Sequence, residues 1–150
     1  MIPPPLPNKD REHLRILVIC HYVLAGLTLP GIGFLALHYS IMNHVMGNSK
    51  MWEKMKDPPP FDPVEFFGYF KWFYLAMGLM LLTSGVLTLM AGRSLQKRKR
   101  RVFTIVIAAL NCLHFPLGTL LGIFTLIVLS RESVERLYLE EESRREGQVA

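Results

Sequence analysis

Cysteine and charge are both scarce in this chain of 150 residues. The two cysteines, Cys20 and Cys112, are too few for the disulfide framework of a small secreted module, and both lie in apolar runs. Only 19% of the residues are charged and 51% are hydrophobic, which excludes an intrinsically disordered chain because such chains are poor in apolar residues. The remaining classes are a soluble protein with a very large core and a membrane protein.

Long stretches without any charged residue decide between these two classes. Residues 16–49, 72–92 and 102–130 contain no Asp, Glu, Lys or Arg. A helix needs about 20 apolar residues to cross a hydrocarbon core of roughly 30 Å, and each stretch reaches that length. A soluble core helix would carry a charged residue every three or four positions on its solvent face. The sequence therefore predicts an all-α integral membrane protein, a compact helical bundle built from these three stretches.

The first stretch does not have the form of a cleaved signal peptide. Its leader, residues 1–13, is polar and rich in proline, the apolar run that follows is too long, and no Ala-x-Ala site follows that run. We therefore expect residues 14–42 to remain as the first span, as a helix bent near Pro30. The alternative is that Pro30 and Gly31 end the helix.

A basic loop predicts the orientation of the chain. Residues 93–101 contain six basic residues and no acidic one, and short basic loops favour the cytoplasmic side. The leader is then also cytoplasmic, and residues 43–66 form an outer loop. The basic loop, residues 93–101, accounts for the net charge of +5, and we interpret this charge as a topological signal. Contact with anionic lipid is an alternative, and nucleic acid is not an expected partner. The basic residues are Arg93, Lys97, Arg98, Lys99, Arg100 and Arg101.

An aromatic cluster marks the outer end of the second span, residues 67–92. Amphipathic rings lie well at the level of lipid headgroups, so we interpret the cluster as an interface anchor, with a ligand platform as the alternative. In the preceding outer loop, Ile41, Val45, Trp52 and Met55 could line a short interfacial helix that Gly47 interrupts. The residues of the cluster are Phe66, Phe67, Tyr69, Phe70, Trp72, Phe73 and Tyr74.

The third stretch allows two interpretations. As a hairpin, residues 102–114 and 117–130 form two arms that turn at Pro116, and each arm borrows about a turn from its polar flank. As a single helix kinked at Pro116, residues 102–130 extend over about 43 Å. The favoured hairpin makes four spans with both termini cytoplasmic, whereas the kinked helix makes three and puts the tail outside. The tail, residues 131–150, reads as a charged helix with Glu and Arg four residues apart.

The spans offer little chemistry. They contain no buried carboxylate, which disfavours proton-coupled transport. His21 and His114 are weak candidates for haem ligands, since they lie about 9 Å and 20 Å from their inner flanks and axial ligands need similar heights. Packing is the expected role of the histidines, His38 and His44 included. Cys20 and Cys112 differ in height too much for a disulfide. We find no motif of an enzyme and expect no catalytic residue, metal site or cofactor.

Glycine spacing is the most regular pattern within the spans. Gly78, Gly85 and Gly92 recur every seven residues, Gly26 and Gly33 share that spacing, and Gly118 and Gly122 open the last segment. Small residues on one face let helices approach closely in lipid. We expect these glycines to pack helices within the chain, with an oligomer contact as the alternative.

Both ends of the chain resemble a group of small bacterial multi-pass membrane proteins that has no assigned activity. The resemblance rests on residues 12–15 (EHLR) with 21–28 (HYVLAGLT), and on 115–125 (FPLGTLLGIFT) with Val128, Leu129, Ser133 and Val134. It implies a bacterial cytoplasmic (inner) membrane location and a compact helical bundle. It supplies no site residues.

These observations favour a non-enzymatic accessory or structural subunit that acts by helix packing. Its expected partners are the lipid bilayer and either other membrane protein subunits or a second copy of the chain. A haem-binding electron-transfer subunit and a small transporter or channel component are the alternatives.

Overall fold

Six helices make up nearly all of the chain that the computed structural model describes, namely residues 8–52, 60 and 62–149. This described part contains no β-strand, which confirms the all-α prediction. The helices are α1 (Asn8–Met46), α2 (Ser49–Trp52), α3 (Pro63–Gln96), α4 (Arg101–Asn111), α5 (Leu117–Leu129) and α6 (Glu132–Val149).

Helices α1 and α3 are the two candidate membrane spans. They are 39 and 34 residues long, and both are long and apolar enough to cross a bilayer. Helices α5 and α6 pass the same test only as a pair, and they are bent by 74° at the break between them. By length and composition, the described helices therefore supply two spans, or three if that bent pair is one span.

Helix α1 is longer than the first predicted span. It continues through Pro30, so the alternative that the helix ends there is wrong. It also takes in Ile41 and Val45, so the predicted interfacial helix is wrong for these two residues. Extending an existing helix is easier than nucleating a new one, and only the single turn α2, with Trp52, is separate. Met55 lies outside the described residues.

Both ends of α3 carry recognisable capping signals. At its start, the Asp62 carboxylate accepts a hydrogen bond from the Val64 amide at 2.8 Å, and Pro63 occupies the first helical position. At its end, the Arg98 amide donates to the Leu95 carbonyl and the Lys99 amide donates to the Ser94 carbonyl. This pair of bonds is a Schellman motif. Helix α3 therefore includes Arg93, which was predicted to lie in the basic loop.

The helices divide into two compact units. The first contains the described residues up to Gly26 and from Ser84 onward, and the second contains Leu27–Thr83. The core of the first unit is a cluster of leucines and valines from α1, α3, α5 and α6, closed by Tyr138. Its buried members are Leu14, Leu17, Leu95, Leu121, Val128, Leu129, Val134, Leu137 and Tyr138.

The third apolar stretch forms a hairpin of two packed helices, α4 and α5, rather than one kinked helix. The Thr119 hydroxyl donates to the Cys112 carbonyl at 2.9 Å beside the turn. At the open end, the Arg101 guanidinium donates to the Leu129 carbonyl at 2.7 Å. Contrary to the prediction, the arms are not extended by a further turn of polar residues. Helix α5 ends at Leu129, because the Leu129 carbonyl is already satisfied by Arg101. At 1.5 Å per residue they measure about 16 Å and 20 Å.

Helix α6 packs at the end of the first unit where α1 begins. Arg131, just before α6, forms an ion pair with Asp10 of α1 at 3.1 Å. Further along α6, Glu135 pairs with Arg101 at 2.7 Å, and Arg145 donates to the Lys97 carbonyl at 2.6 Å. The start of α1, the loop after α3 and the tail helix therefore meet at one end of this unit, which we call the basal end.

Substituting Gly122 tests the hairpin packing. A Cβ atom there would collide with the Ala108 carbonyl oxygen and lie 2.6 Å from the Cys112 sulfur. We expect Gly122→Ala to lower the free energy of unfolding by about 1–3 kcal/mol through overpacking, measured by thermal unfolding in detergent. Gly26→Ala is the matched control, because no described heavy atom lies within 4 Å of its Cβ position. Equal stability of the two variants would contradict the packing.

Candidate functional site

Besides Asp10 at the basal end, five buried polar side chains lie within the described part of the first unit, and they are the natural place to look for chemistry. Thr104 and Thr125 donate to carbonyls one turn back on their own helices, at 3.5 Å and 2.7 Å, so they are satisfied locally. The other three are His21, Thr88 and Asn111, which come from α1, α3 and α4 and are at most 3% exposed. We call these three residues the polar cluster.

One face of α3 positions the polar cluster. Thr88 and Gly92 lie four residues apart, so they share a face of the helix. The Thr88 hydroxyl donates to the Asn111 side-chain oxygen at 3.1 Å. A Cβ atom on Gly92 would lie 3.1 Å from the His21 Cβ, so the glycine lets α1 approach α3 closely. His21 and Asn111 therefore contact the same face of α3 about one helical turn apart.

Two polar atoms of the cluster have no hydrogen-bond partner among the described residues. His21 Nδ1 lies 2.8 Å from the Leu17 carbonyl oxygen and therefore donates to it, while His21 Nε2 has no partner. The Asn111 side-chain nitrogen is also buried without a partner. In its neutral form His21 then offers a hydrogen-bond acceptor and Asn111 offers a donor. Such a pair can hold a small polar molecule such as water, and the polar cluster itself includes no carboxylate or thiol.

The structure does not favour haem between the two predicted histidines. His21 is 0% exposed, and its Cβ lies 3.1 Å from the Cβ position of Gly92, so this histidine is enclosed between packed helices. His114 lies in the hairpin turn, three residues beyond Asn111, and its Nδ1 is buried without a partner in the described chain. His114 is therefore displaced further along the bundle than Asn111, which already lies about 6 Å from the level of His21.

The cysteines and the other histidines do not form a metal site. Cys20 is exposed, and the Cys112 thiol donates to the Ala108 carbonyl at 3.3 Å. His38 Nδ1 lies 2.6 Å from the Tyr74 hydroxyl in the second unit. Within the described ranges, no three His, Cys, Asp or Glu side chains are grouped so that they could hold a metal ion.

The predicted packing glycines fall into two classes. Gly78 lies 3.7 Å from Leu35 through its Cβ position, Gly85 is buried, and Gly92, Gly118 and Gly122 lie against neighbouring helices or the hairpin turn. In contrast, Gly26 and Gly33 are surface residues whose Cβ positions have no described heavy atom within 4 Å. Intramolecular packing therefore accounts for the first class only.

The basic residues of the predicted loop have separate roles. Arg93 belongs to α3, Lys97 to Arg100 form the connection, and Arg101 begins α4. Arg101 donates to Leu129 and pairs with Glu135, a role that sequence reasoning missed. Charge spacing carries no signal for it, since its partners lie on other helices. Arg98 and Arg100 both have left-handed backbone conformations, with φ of 47° and 51°.

The aromatic cluster also divides in two. Phe67 and Tyr74 are partly buried and contact the Tyr39 ring of α1, with ring centroids 5.9 Å and 5.2 Å apart. The remaining rings are exposed, and their role as an interface anchor stays a prediction. The exposed members are Phe66, Tyr69, Phe70, Trp72 and Phe73.

The comparisons with known proteins add no relative. No protein-family model, curated protein or solved structure matches this chain. The geometry of the described residues is therefore the basis of the functional argument.

Asp10 at the basal end gives a prediction about pH. A hydrogen bond from Ser133 and the nearby Arg131 guanidinium hold the pKa of Asp10 below its usual value of 3.8. Because the folded-state pKa is the lower one, the stabilisation is complete above about pH 3.8 and is lost as the pH falls through the folded-state pKa. We expect Asp10→Asn to cost about 1 kcal/mol at neutral pH and nothing at the acidic limit.

The measurement is thermal unfolding of the wild type and of Asp10→Asn, from neutral pH down to below the folded-state pKa of Asp10. Glu12→Gln is the control, because Glu12 is an exposed carboxylate two residues away that forms no ion pair with the described residues. A stability difference for Asp10→Asn that does not change with pH would contradict the ionised pair.

Proposed function

We propose that the protein is a non-enzymatic, multi-pass protein of the bacterial cytoplasmic membrane and serves there as an accessory subunit. The resemblance at both chain ends and the apolar helices α1 and α3 support the location. The basic residues at the basal end support a cytoplasmic position for that end. The start of α1 and the tail helix meet there, so we place both on the cytoplasmic side.

In this proposal the hairpin enters the membrane from the cytoplasmic side and returns to it. Arms of about 16 Å and 20 Å are shorter than a hydrocarbon core of roughly 30 Å. The turn between them is apolar and exposed, with Leu113 at 80% and Phe115 at 88%, which suits contact with lipid. Backbone polar groups at such depth need partners, and the amides of residues 112–114 all donate to carbonyls of α4.

The proposed accessory role depends on an exposed row of residues along α1. Val23, Gly26, Pro30, Gly33 and Leu37 follow one another along the sequence of α1 at alternating intervals of three and four residues, and each is exposed in its own unit. We call this row the α1 seam. A repeat of seven with small residues at its centre is typical of helices that pack closely in lipid. The seam therefore supports close packing against another membrane helix, from a different subunit or a second copy.

The polar cluster supports a structural role rather than catalysis. Its hydrogen bond joins α3 to α4 through Thr88 and Asn111, and His21 of α1 packs against the same face of α3. Among the described residues of the unit, no carboxylate, thiol or second histidine forms a hydrogen bond or ion pair with the cluster. Hydrogen bonds of this kind between membrane helices help to specify which faces meet.

A cysteine at the hairpin turn tests the proposed depth. In a chain with Cys20→Ala and Cys112→Ala, we expect Phe115→Cys to resist a membrane-impermeant maleimide from both sides of sealed vesicles, because its thiol lies in hydrocarbon. Lys99→Cys should react from the cytoplasmic side and Asn48→Cys from the outer side. Reaction of Phe115→Cys from the outer side would mean that both arms cross the membrane.

Larger side chains at the glycines of the α1 seam test the accessory role. We expect Gly26→Leu with Gly33→Leu to abolish the complex that the wild-type chain forms after mild detergent extraction, since leucine prevents close approach of a partner helix. Native gel electrophoresis and the set of copurified subunits provide the readout. Gly31→Leu with Gly68→Leu is the control, because both positions have equally open surroundings. A wild-type chain that is strictly monomeric and alone would refute the role.

A further inference from the structure

A groove at the basal end of the first unit combines three arginines with an apolar wall. It lies between the first turns of α1 and the end of α3, and its volume is about 400 Å³, within the range of small-molecule sites. Its position is separate from the polar cluster and from the α1 seam. The residues that line it are Arg11, Leu14, Arg15, Val18, Ile19, Tyr22, Leu95, Gln96 and Arg98.

None of the three arginines of the groove forms an ion pair with a described residue. Arg11 and Arg15 lie four residues apart, on one face of α1, and Arg98 faces them from the loop after α3. The ion pairs among the described residues use Arg101, Arg131 and Arg145 instead. Three arginines that line one groove with no carboxylate among the lining residues suit an anion, and guanidinium matches the oxygens of a phosphate group.

The rest of the groove is suited to hydrocarbon. Leu14, Val18, Ile19 and Leu95 continue from the arginines in the direction of the apolar part of α1. Tyr22 donates to the Gln96 side chain at 2.8 Å and so satisfies the polar groups at the far end. From Arg11 to Tyr22 the groove extends over about 16 Å. A free anion would leave this apolar part uncovered.

The backbone at Arg98 places an arginine where glycine is usual. Arg98 occupies the left-handed position that ends α3, with φ of 47°. Glycine is the usual residue at this position because a side chain is strained there. Arg98 therefore brings a charged side chain to the groove from a strained backbone position.

We propose that this groove binds an anionic phospholipid. The phosphate lies among Arg11, Arg15 and Arg98, and the first part of an acyl chain lies along Leu14, Val18 and Ile19. Basic pockets between membrane helices at the cytoplasmic face bind such headgroups. A zwitterionic lipid would add an ammonium group next to three guanidinium groups, so the net negative charge provides the selectivity. The site rests on the proposed membrane location of α1 and α3.

Native mass spectrometry of the full chain, released from micelles that contain phosphatidylglycerol or phosphatidylcholine, tests the site. We expect phosphatidylglycerol adducts on the wild type, which excess inorganic phosphate does not displace. R11Q/R15Q/R98Q should weaken phosphatidylglycerol binding by about ten-fold or more, since each basic residue near a membrane surface contributes. R93Q/K97Q/K99Q removes the same charge from residues outside the groove and should bind as the wild type does.

A second variant distinguishes a loss of lipid binding from a loss of the fold. R98G suits the left-handed backbone, so the fold is retained and binding alone is expected to weaken by several-fold. Equal losses in the two triple variants would mean that diffuse charge attracts the lipid, and displacement by inorganic phosphate would mean a simple anion site. Either result overturns the proposal. Release of the protein from membranes by alkaline carbonate would refute the membrane location, whereas retention with equal binding of both lipids refutes the groove alone.

Discussion

The guanidinium of Arg101 holds together the three segments on which the arrangement of the first unit depends. Its Nε and Nη2 atoms donate to the Leu129 carbonyl at 3.2 Å and 2.7 Å, and its Nη1 pairs with Glu135 at 2.7 Å. The last carbonyls of a helix have no partner within the helix, and Arg101 supplies one at the end of α5. The same side chain therefore closes the hairpin and fixes the start of α6 beside it.

The tail helix then has a defined position at the basal end. With α6 turned back by Arg101, Arg131 reaches Asp10 and the buried side of α6 places Val134 and Leu137 in the core. The basic residues of the chain consequently act in three ways. Arg101 joins helices, Arg98 lines the proposed lipid groove, and the excess of positive charge as a whole supports a cytoplasmic position for this end.

The sequence predicted the parts of the fold that depend on local composition. Charge-free stretches identified α1 and α3. Pro116 and the glycine that follows it, Gly118, made a turn the favoured interpretation of the third stretch. The close contacts of Gly118 and Gly122 also followed from their spacing. Helix bounds were less accurate, since α1 extends to Met46 and absorbs residues that were assigned to the outer loop.

The side-chain pairs could not be predicted, because they depend on which helices meet. Thr88 and Asn111 are 23 residues apart, and Asp10 and Arg131 are 121 residues apart. An isolated threonine in an apolar helix carries no sign of its partner, and threonine often donates to its own helix as Thr125 does. In the sequence, Arg101 could not be distinguished from the five other basic residues of its loop, because spacing along the chain does not show that it reaches the Leu129 carbonyl.

The central claim is that the hairpin returns the chain to the side from which it started, so that the leader and the tail share one face of the membrane. Sidedness of two cysteines tests it most directly. In a chain with Cys20→Ala and Cys112→Ala, Asn8→Cys and Glu146→Cys are labelled separately with an impermeant maleimide in sealed vesicles of known orientation. The account predicts that both react from the same side, and reaction from opposite sides would contradict it.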